Sequence, residues 1–272
     1  MLKQRIIVAA ILLPIGLLAI YLGGAGFAAI VALLLGFAGW EYAQLFRSGE
    51  YRPASALVVA GVLLIIAGRL LSGFESAPWI ITLFVLASMT VHLVAYERGR
   101  EEAGTDFAIT LSGVLYIGWL GAYLVSIRSL QEGMWWVLLV LPAIWLADAG
   151  AYFIGRAIGR HKLSPRLSPK KTWEGYIGGV VVALIGTALL AVLWGSLAGP
   201  GSAITPLDGA ILGLVLGVVA PLGDLGESMI KRQFGVKDSG KILPGHGGAF
   251  DRIDSWLWAA AIGYYLILWL LL

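Results

Sequence analysis

Carboxylates, cations and glycines alternate between residues 223 and 254, near the C-terminal end of the chain. Asp224 lies at the start of this segment, and Asp251 and Asp254 lie at its end. Oxygen ligands of this kind suit Mg²⁺, which binds one or two carboxylates together with substrate phosphates. Cations and backbone amides freed by glycine turns suit the phosphates themselves. The segment therefore predicts phosphoryl or nucleotidyl transfer, in which catalysis is mainly positioning and charge stabilisation.

Asp224 and Asp251 are the predicted catalytic pair and metal ligands, with Asp254 as a third ligand. Asp224 follows Pro221, where we expect the helix to break, and Asp251 directly precedes the last apolar segment. Residues at i and i+3 share a helix face, so Asp254 should face the same side as Asp251. The alternative for Asp251 and Asp254 is helix capping with a salt bridge to Arg252.

Polar residues of the same segment are candidates to cancel phosphate charge. Lys237 is a predicted catalytic residue. The predicted substrate-binding residues here are Ser228, Lys231, Arg232, Lys241, His246 and Arg252.

A second polar loop covers residues 156–174 and is rich in cations. Two Ser-Pro steps exclude a continuous helix here, because a proline disfavours helical geometry in the residue before it. We interpret the loop as a phosphate-binding segment, and the alternative is a polybasic patch that contacts anionic lipid headgroups. The residues predicted to face nucleotide or lipid phosphate are Ser168, Lys170, Lys171 and Thr172.

Asp148 lies deep in the sixth apolar segment and is a predicted catalytic residue. An ionisable residue inside a membrane span is costly and indicates function by default. A buried hydrogen-bond anchor for packing is the alternative. Tyr152 and Arg156 should be its neighbours on the helix. Glu41 and His92 are weaker signals, and we interpret both as interfacial or packing residues.

The composition excludes a water-soluble globular domain. Hydrophobic residues make up 59% of the 272 residues and charged residues only 13%, against about 45–50% and about 25% in soluble proteins. Lipid must be the solvent, and the 37 glycines fit close helix packing in a membrane. The chain has no cysteine, which excludes disulfides and thiolate metal sites.

Apolar runs of about 20 residues predict membrane-spanning helices. We expect an all-α polytopic membrane protein with nine spans and a cytoplasmic N-terminus. Spans one to five form an N-terminal region, 1–130. Spans six to nine, with cytoplasmic loops 156–174 and 227–254, form a catalytic region, 131–272. The spans are 6–22, 27–46, 54–71, 78–96, 107–127, 134–155, 175–197, 206–226 and 255–272.

The distribution of basic residues predicts the orientation. Cytoplasmic loops collect Lys and Arg, and a cytoplasmic N-terminus leaves only Arg69 and Arg128 of the 19 basic residues outside. Both polar loops then lie on the inner side. We therefore expect an integral protein of the inner or plasma membrane whose active site faces the cytoplasm.

The last loop resembles the signature of the phosphatidate cytidylyltransferase, or CDP-diglyceride synthetase, family. The resemblance is carried by Ser228-Met-Ile-Lys-Arg, four further residues, and Lys237-Asp-Ser-Gly-Lys-Ile-Leu-Pro-Gly-His-Gly-Gly-Ala-Phe-Asp-Arg-Ile-Asp254. Ser164-Pro-Arg-Leu-Ser-Pro-Lys-Lys-Thr-Trp-Glu-Gly175 and Asp148-Ala-Gly-Ala-Tyr-Phe also resemble that family. Ala249 departs from the larger aliphatic residue expected after the paired glycines, which affects packing rather than chemistry.

The resemblance implies an all-helical membrane enzyme that makes CDP-diacylglycerol and pyrophosphate from CTP and phosphatidic acid. It also implies Mg²⁺, a possible second cation such as K⁺, a homodimer, contact with membrane lipid and no nucleic-acid partner. By the same resemblance, Asp224 and Asp251 would bind the metal, and the loop cations would bind the triphosphate and the lipid phosphate.

Three alternative functions can be compared with this interpretation. A transporter would explain the spans and Asp148, but transporters bind at the midplane between repeats, and this sequence shows no repeat. A CTP-dependent lipid kinase needs the same groups and differs in releasing CDP instead of pyrophosphate. The paired-aspartate motif of CDP-alcohol phosphotransferases is absent from the sequence.

Overall fold

The structure is a computed structural model that describes residues 2–240, 242 and 247–271, without the side chains of residues 2–7 and 9. It is built from long helices and one short β-hairpin. The helices are α1 Leu2–Leu22, α2 Gly24–Ser48, α3 Ser55–Ser72, α4 Ala77–Glu97, α5 Ala103–Gly113, α6 Tyr123–Arg128, α7 Gly133–Ile158, α8 Trp173–Ala198, α9 Pro206–Gln233 and α10 Phe250–Leu270, and the strands are β1 Lys162–Ser164 and β2 Ser168–Thr172.

Eight segments of the described chain are long and apolar enough to cross a membrane. Large apolar side chains cover the outside of these helices, as in α4 and α8, where only 22% of the apolar window is buried. Such a surface needs a lipid solvent, so the predicted all-α polytopic membrane fold is confirmed. The first predicted span, 6–22, overlaps α1, whose described apolar part is Ala10–Leu22. The count of nine and the cytoplasmic N-terminus stay predictions.

The chain forms two compact units. The first comprises Met1–Ser126 and Ile230–Ile253, and the second comprises Ile127–Met229 and Asp254–Leu272. Each unit therefore joins one long continuous stretch of the chain to a shorter segment from near the C-terminus. The boundary that the sequence predicts at residue 130 stays a prediction.

The fifth span is not the regular helix expected over 107–127. After α5, the residues Val114–Trp119 form a π-helical turn, and α6 follows after a short break. Gly118 lies close to α3, because a Cβ added there would approach the Val62 Cα to 3.0 Å. The wider turn of a π-helix accommodates an extra residue inside a span, and an apolar run of uniform hydropathy carries no signal for it.

Arg69 is buried in the first unit, in the last turn of α3, with only 4% of its surface exposed. Its guanidinium carbon lies 3.5 Å from the ring centre of Phe74, 4.7 Å from that of Trp119 and 5.0 Å from that of Tyr123. It also donates a hydrogen bond of 3.1 Å to Ser126 Oγ. Cation–π contacts of this kind stabilise a desolvated guanidinium, which explains how a membrane helix holds a buried arginine.

The second unit is built on the close packing of α7 against α8. A Cβ at Gly179 would lie 2.5 Å from the carbonyl oxygen of Ala147, so only glycine allows the two backbones to approach this closely. Small residues have this role in membrane helix pairs, where van der Waals packing replaces the hydrophobic driving force.

The segment between these two helices is 159–172, shorter than the predicted loop 156–174, and it folds as an antiparallel hairpin of β1 and β2. Lys162 pairs with Thr172 and Ser164 with Ser168. The prediction that the Ser-Pro steps prevent a continuous helix is confirmed. The hairpin places the cations of β2 directly before α8.

Candidate active site

The C-terminal end of α9 positions the first group of candidate residues. The helix continues through Pro221, so the helix break expected there is wrong. Proline removes one backbone hydrogen bond, but neighbouring groups can satisfy the freed carbonyl in a membrane helix. Asp224, Glu227 and Ser228 therefore lie on one helical face at i, i+3 and i+4. The segment between α9 and α10 is 234–249, shorter than the predicted loop 227–254.

Three carboxylates of the second unit meet at this end of α9. Asp224, Glu227 and Asp254 each offer a ligand oxygen, and these oxygens lie within 4.8 Å of one another. Gly223 makes this possible, because a Cβ there would collide with the carbonyl oxygen of Asp254. Sequence reasoning predicted Asp224 and Asp254 as ligands but missed Glu227. The available signal was the spacing from Asp224, the same i, i+3 relation that linked Asp254 to Asp251.

The donor chemistry of this group fits a hard divalent cation. Like charges within a few ångströms repel and disfavour the ionised forms, and Glu227 is almost completely buried. Lys171 forms an ion pair with Asp224 and supplies one positive charge, while Ser228 Oγ donates a hydrogen bond of 3.3 Å to Asp224. Oxygen-only ligation by one or two carboxylates is the preference of Mg²⁺.

The hairpin brings the predicted phosphate-binding residues to the start of α8. Thr172 is buried, and its Oγ1 accepts a hydrogen bond of 3.2 Å from the Gly175 amide, so it caps the helix. Ser168 is half-buried and Lys170 is exposed. Glu174, in the first turn of α8, accepts hydrogen bonds from the Arg160 and His161 amides and from His161 Nδ1 at 2.6 Å. The phosphate-binding roles of Ser168, Lys170, Lys171 and Thr172 stay predictions.

Asp148 is exposed on α7, inside a membrane-spanning segment of the second unit. Arg156 donates a hydrogen bond of 3.2 Å to the Tyr152 hydroxyl on the same helix. A carboxylate on the surface of a span needs a polar partner or a water-filled cavity. The catalytic role of Asp148 stays a prediction.

Asp251 belongs to the first unit and is enclosed by donors of that unit. Its Oδ1 lies 2.6 Å from Lys231 Nζ, and its Oδ2 accepts hydrogen bonds from the Ser239 amide at 2.8 Å, the Ser239 hydroxyl at 2.9 Å and the Gly248 amide at 2.8 Å. Four donors favour the ionised carboxylate. The geometry thus shows an Asp251 side chain that is fixed by four donors, and its predicted role as a metal ligand stays a prediction.

Glu41 extends the Asp251 network to α2. Its side chain is fully buried, and its Oε2 accepts hydrogen bonds from Ser239 Oγ at 3.0 Å and from the Phe250 amide at 2.9 Å. No local pattern could have predicted this contact, because Ser239 is 198 residues away in the sequence. His92 is buried and lies within hydrogen-bond distance of the Ser88 carbonyl oxygen and Thr110 Oγ1, as expected of a packing residue.

Three of the remaining predicted cations lie on the surface of the described part of the chain. Lys237, Arg232 and Arg252 are exposed, and Arg232 donates a hydrogen bond of 3.2 Å to the Val236 carbonyl. Lys241 and His246 lie outside the described residues.

Comparison with known proteins identifies the family. A model described as the cytidylyltransferase family matches residues 3–270. The chain belongs to the cytidylyltransferase family. Three relatives carry the name phosphatidate cytidylyltransferase. One from Pseudomonas aeruginosa is 38% identical over 274 residues, which cover 99% of this chain and 97% of the relative. One from Brucella suis is 36% identical over 265 residues, covering 97% and 92%, and one from Bacillus subtilis is 35% identical over 272 residues, covering 97% of each.

Membership in the cytidylyltransferase family confirms the resemblance based on the last loop and the hairpin. The protein is therefore an integral membrane enzyme of the nucleotidyltransferase class, a class of reaction for which carboxylates beside a cation are suited. The match covers both units of the chain, including the N-terminal helices, which contain none of the motifs that carry the resemblance.

Proposed function

We propose that the chain is a Mg²⁺-dependent phosphatidate cytidylyltransferase that transfers CMP from CTP to phosphatidic acid in phospholipid biosynthesis. The observation that carries the proposal is the group of Asp224, Glu227 and Asp254, with Lys171 paired to Asp224. It supplies oxygen ligands and an ammonium group side by side, as nucleotidyl transfer requires. The names of the relatives support the choice of lipid and nucleotide.

The reaction joins two polyanions, so charge repulsion is the main obstacle. An oxygen of the phosphatidate phosphate attacks the α-phosphorus of CTP, the bond from that phosphorus to the bridging oxygen breaks, and pyrophosphate leaves. A phosphomonoester with a second pKa near 6 is already largely ionised at neutral pH. The enzyme therefore needs no strong general base, and its task is to position the phosphates and offset their charge.

Asp224, Glu227 and Asp254 would hold the cation. When bound there, Mg²⁺ would neutralise charge on the α-phosphate and the leaving group. Lys171 presents an ammonium group beside the carboxylates that can bind a phosphate oxygen, and Ser228 orients Asp224 through its hydroxyl. Asp251 is held in place by Lys231 and the Ser239 and Gly248 donors, and we keep it as a predicted catalytic residue.

We further propose that the site faces the cytoplasm, where CTP is available, and that phosphatidic acid enters sideways from the bilayer. The excess of basic residues in the loops on that side supports this orientation. The homodimer and a second cation such as K⁺ remain part of the proposal by analogy with the family.

The test compares Asp224→Asn with Asp208→Asn in detergent-purified protein. Asp208 is on the same helix about 24 Å away by helical rise, and its Oδ2 accepts hydrogen bonds from the Thr205 amide and hydroxyl. We expect Asp224→Asn to abolish CTP-dependent synthesis of CDP-diacylglycerol and EDTA to do the same to the wild type, while Asp208→Asn retains activity. Full activity of folded Asp224→Asn would contradict the proposed site. CDP in place of pyrophosphate would show a lipid kinase instead.

A further inference from the structure

Glu41 is a buried carboxylate that the reaction described above does not use. It lies in α2, far in sequence from the candidate active-site residues, and has no measurable exposure. An ionisable group is rarely fully buried without specific partners. Its Oε2 accepts hydrogen bonds from the Ser239 hydroxyl and from the amide of Phe250, two residues on either side of the segment that leads into α10.

The backbone of this segment fits closely around the Glu41 carboxylate. A Cβ added at Gly240 would collide with Glu41 Oε1, and one at Gly248 would collide with Glu41 Oε2 and Ser239 Oγ. Gly247, which precedes Gly248, has a φ of 83°, a conformation that favours glycine. Gly240 and Gly248 therefore have a packing role in addition to the predicted phosphate-binding role of the loop glycines. They let the chain wrap around a side chain from α2.

Ser239 connects this carboxylate to Asp251. Its Oγ lies 3.0 Å from Glu41 Oε2 and 2.9 Å from Asp251 Oδ2. A serine hydroxyl has a single hydrogen and can donate to only one acceptor at a time. The Ser239 amide and the Gly248 amide also donate to Asp251. Three donors to Asp251, the Ser239 amide and hydroxyl and the Gly248 amide, therefore lie on or beside residues that contact Glu41.

We propose that Glu41 is a positioning residue that fixes Ser239, Gly248 and Phe250 and thereby holds Asp251 in its reactive orientation. The proposal rests on the proposed function, because it assigns Asp251 a part in the reaction. Glu41 itself touches neither substrate nor metal in this account. It acts through Ser239, Phe250 and the glycines, as outer-shell partners of metal and catalytic ligands do.

Two substitutions at Glu41 separate hydrogen bonding from simple packing. Gln keeps an oxygen that can accept from Ser239 and Phe250, whereas Leu fills a similar volume and accepts nothing. We expect Glu41→Leu to lower kcat by about 10- to 100-fold, the usual effect of losing an outer-shell partner, with a smaller change in KM for CTP. Glu41→Gln should retain most of the activity.

Thr110→Val provides a matched control for loss of a buried hydrogen bond in the same unit. Thr110 Oγ1 accepts from the Ala54 amide at 2.9 Å and donates to the Asp106 carbonyl at 2.8 Å. If Glu41 acts by positioning, Thr110→Val leaves kcat close to the wild-type value even where its thermal midpoint falls as much as that of Glu41→Leu. Equal losses of kcat in both variants at matched stability would reduce Glu41 to a structural residue and overturn the proposal.

Hydrogen exchange gives a readout that does not depend on activity. We expect the amides of Ser239, Gly248 and Phe250 to exchange faster in Glu41→Leu than in the wild type and to remain protected in Glu41→Gln and Thr110→Val. Gly248→Ala should produce the same faster exchange through its clash with Glu41. Unchanged protection in Glu41→Leu would overturn the proposal. If the wild type made no CDP-diacylglycerol, the proposed function would fail, while the exchange data would still decide whether Glu41 orders this segment.

Discussion

The Lys231–Asp251 ion pair should be strongly coupled, and Lys231→Met tests this. Lys231 Nζ lies 2.6 Å from Asp251 Oδ1, and the two side chains are only 11% and 5% exposed. Solvent therefore screens the pair poorly, unlike the many surface pairs that contribute little to stability.

The magnitude follows from the geometry. At 2.6 Å and an effective dielectric constant of about 20, the Coulomb attraction is about 6 kcal/mol. Desolvation of the two ions offsets much of this attraction, and breaking a buried pair costs about 3–5 kcal/mol. Asp251 keeps three donors on Oδ2 when Lys231 is removed. We therefore expect Lys231→Met to cost about 3 kcal/mol, at the lower end of that range.

The assay is a double-mutant cycle with Lys231→Met, Asp251→Asn and the double variant, measured as free energies of unfolding in detergent. Interacting neighbours show coupling energies of about 0.5–3 kcal/mol, and we expect about 2 kcal/mol here. The double variant should therefore be less destabilised than the sum of the single variants. Additive effects within about 0.5 kcal/mol would refute the inference that these two groups form one unit.

Substitutions at Gly179, Arg69 and Thr172 test helix packing, the cation–π contacts and the cap of α8. Gly16→Ala and Thr172→Ser serve as controls. Gly179→Ala should destabilise the second unit by about 1–3 kcal/mol through overpacking, whereas Gly16→Ala, which meets no neighbour within 4 Å, should be neutral or stabilising in thermal unfolding. Arg69→Leu should lose about 2 kcal/mol of cation–π stabilisation, and near-wild-type unfolding would argue against the aromatic contacts. Thr172→Ala should cost about 1 kcal/mol by removing the cap of α8, and Thr172→Ser should recover it.

The spans could be predicted because their signal is local. The run 134–155 anticipated α7, observed as Gly133–Ile158, and the Ser-Pro steps correctly excluded a helix between α7 and α8. The hairpin was not predicted, because strands of three and five residues are too short to show an alternating pattern. At Pro221 the local rule failed, since tertiary contacts and the membrane stabilise a helix that proline alone would interrupt.

The sequence predicted which residues belong to the candidate site better than it predicted their contacts with one another. The sequence indicated Asp224 and Asp254, yet their association with Glu227 depends on the close approach that Gly223 allows between α9 and α10. Glu41 could not be ranked from sequence, because its partners become visible only after folding. Single-sequence patterns report periodicity and local spacing, whereas both of these contacts are long-range.

The central claim is that this membrane protein transfers CMP to phosphatidic acid. The most direct measurement follows both products of the purified wild type supplied with phosphatidic acid, CTP and Mg²⁺. We predict that CDP-diacylglycerol and pyrophosphate form in equal amounts and that neither forms when EDTA is present. CDP with a newly phosphorylated lipid, or no product from folded protein with lipid present, would contradict the account.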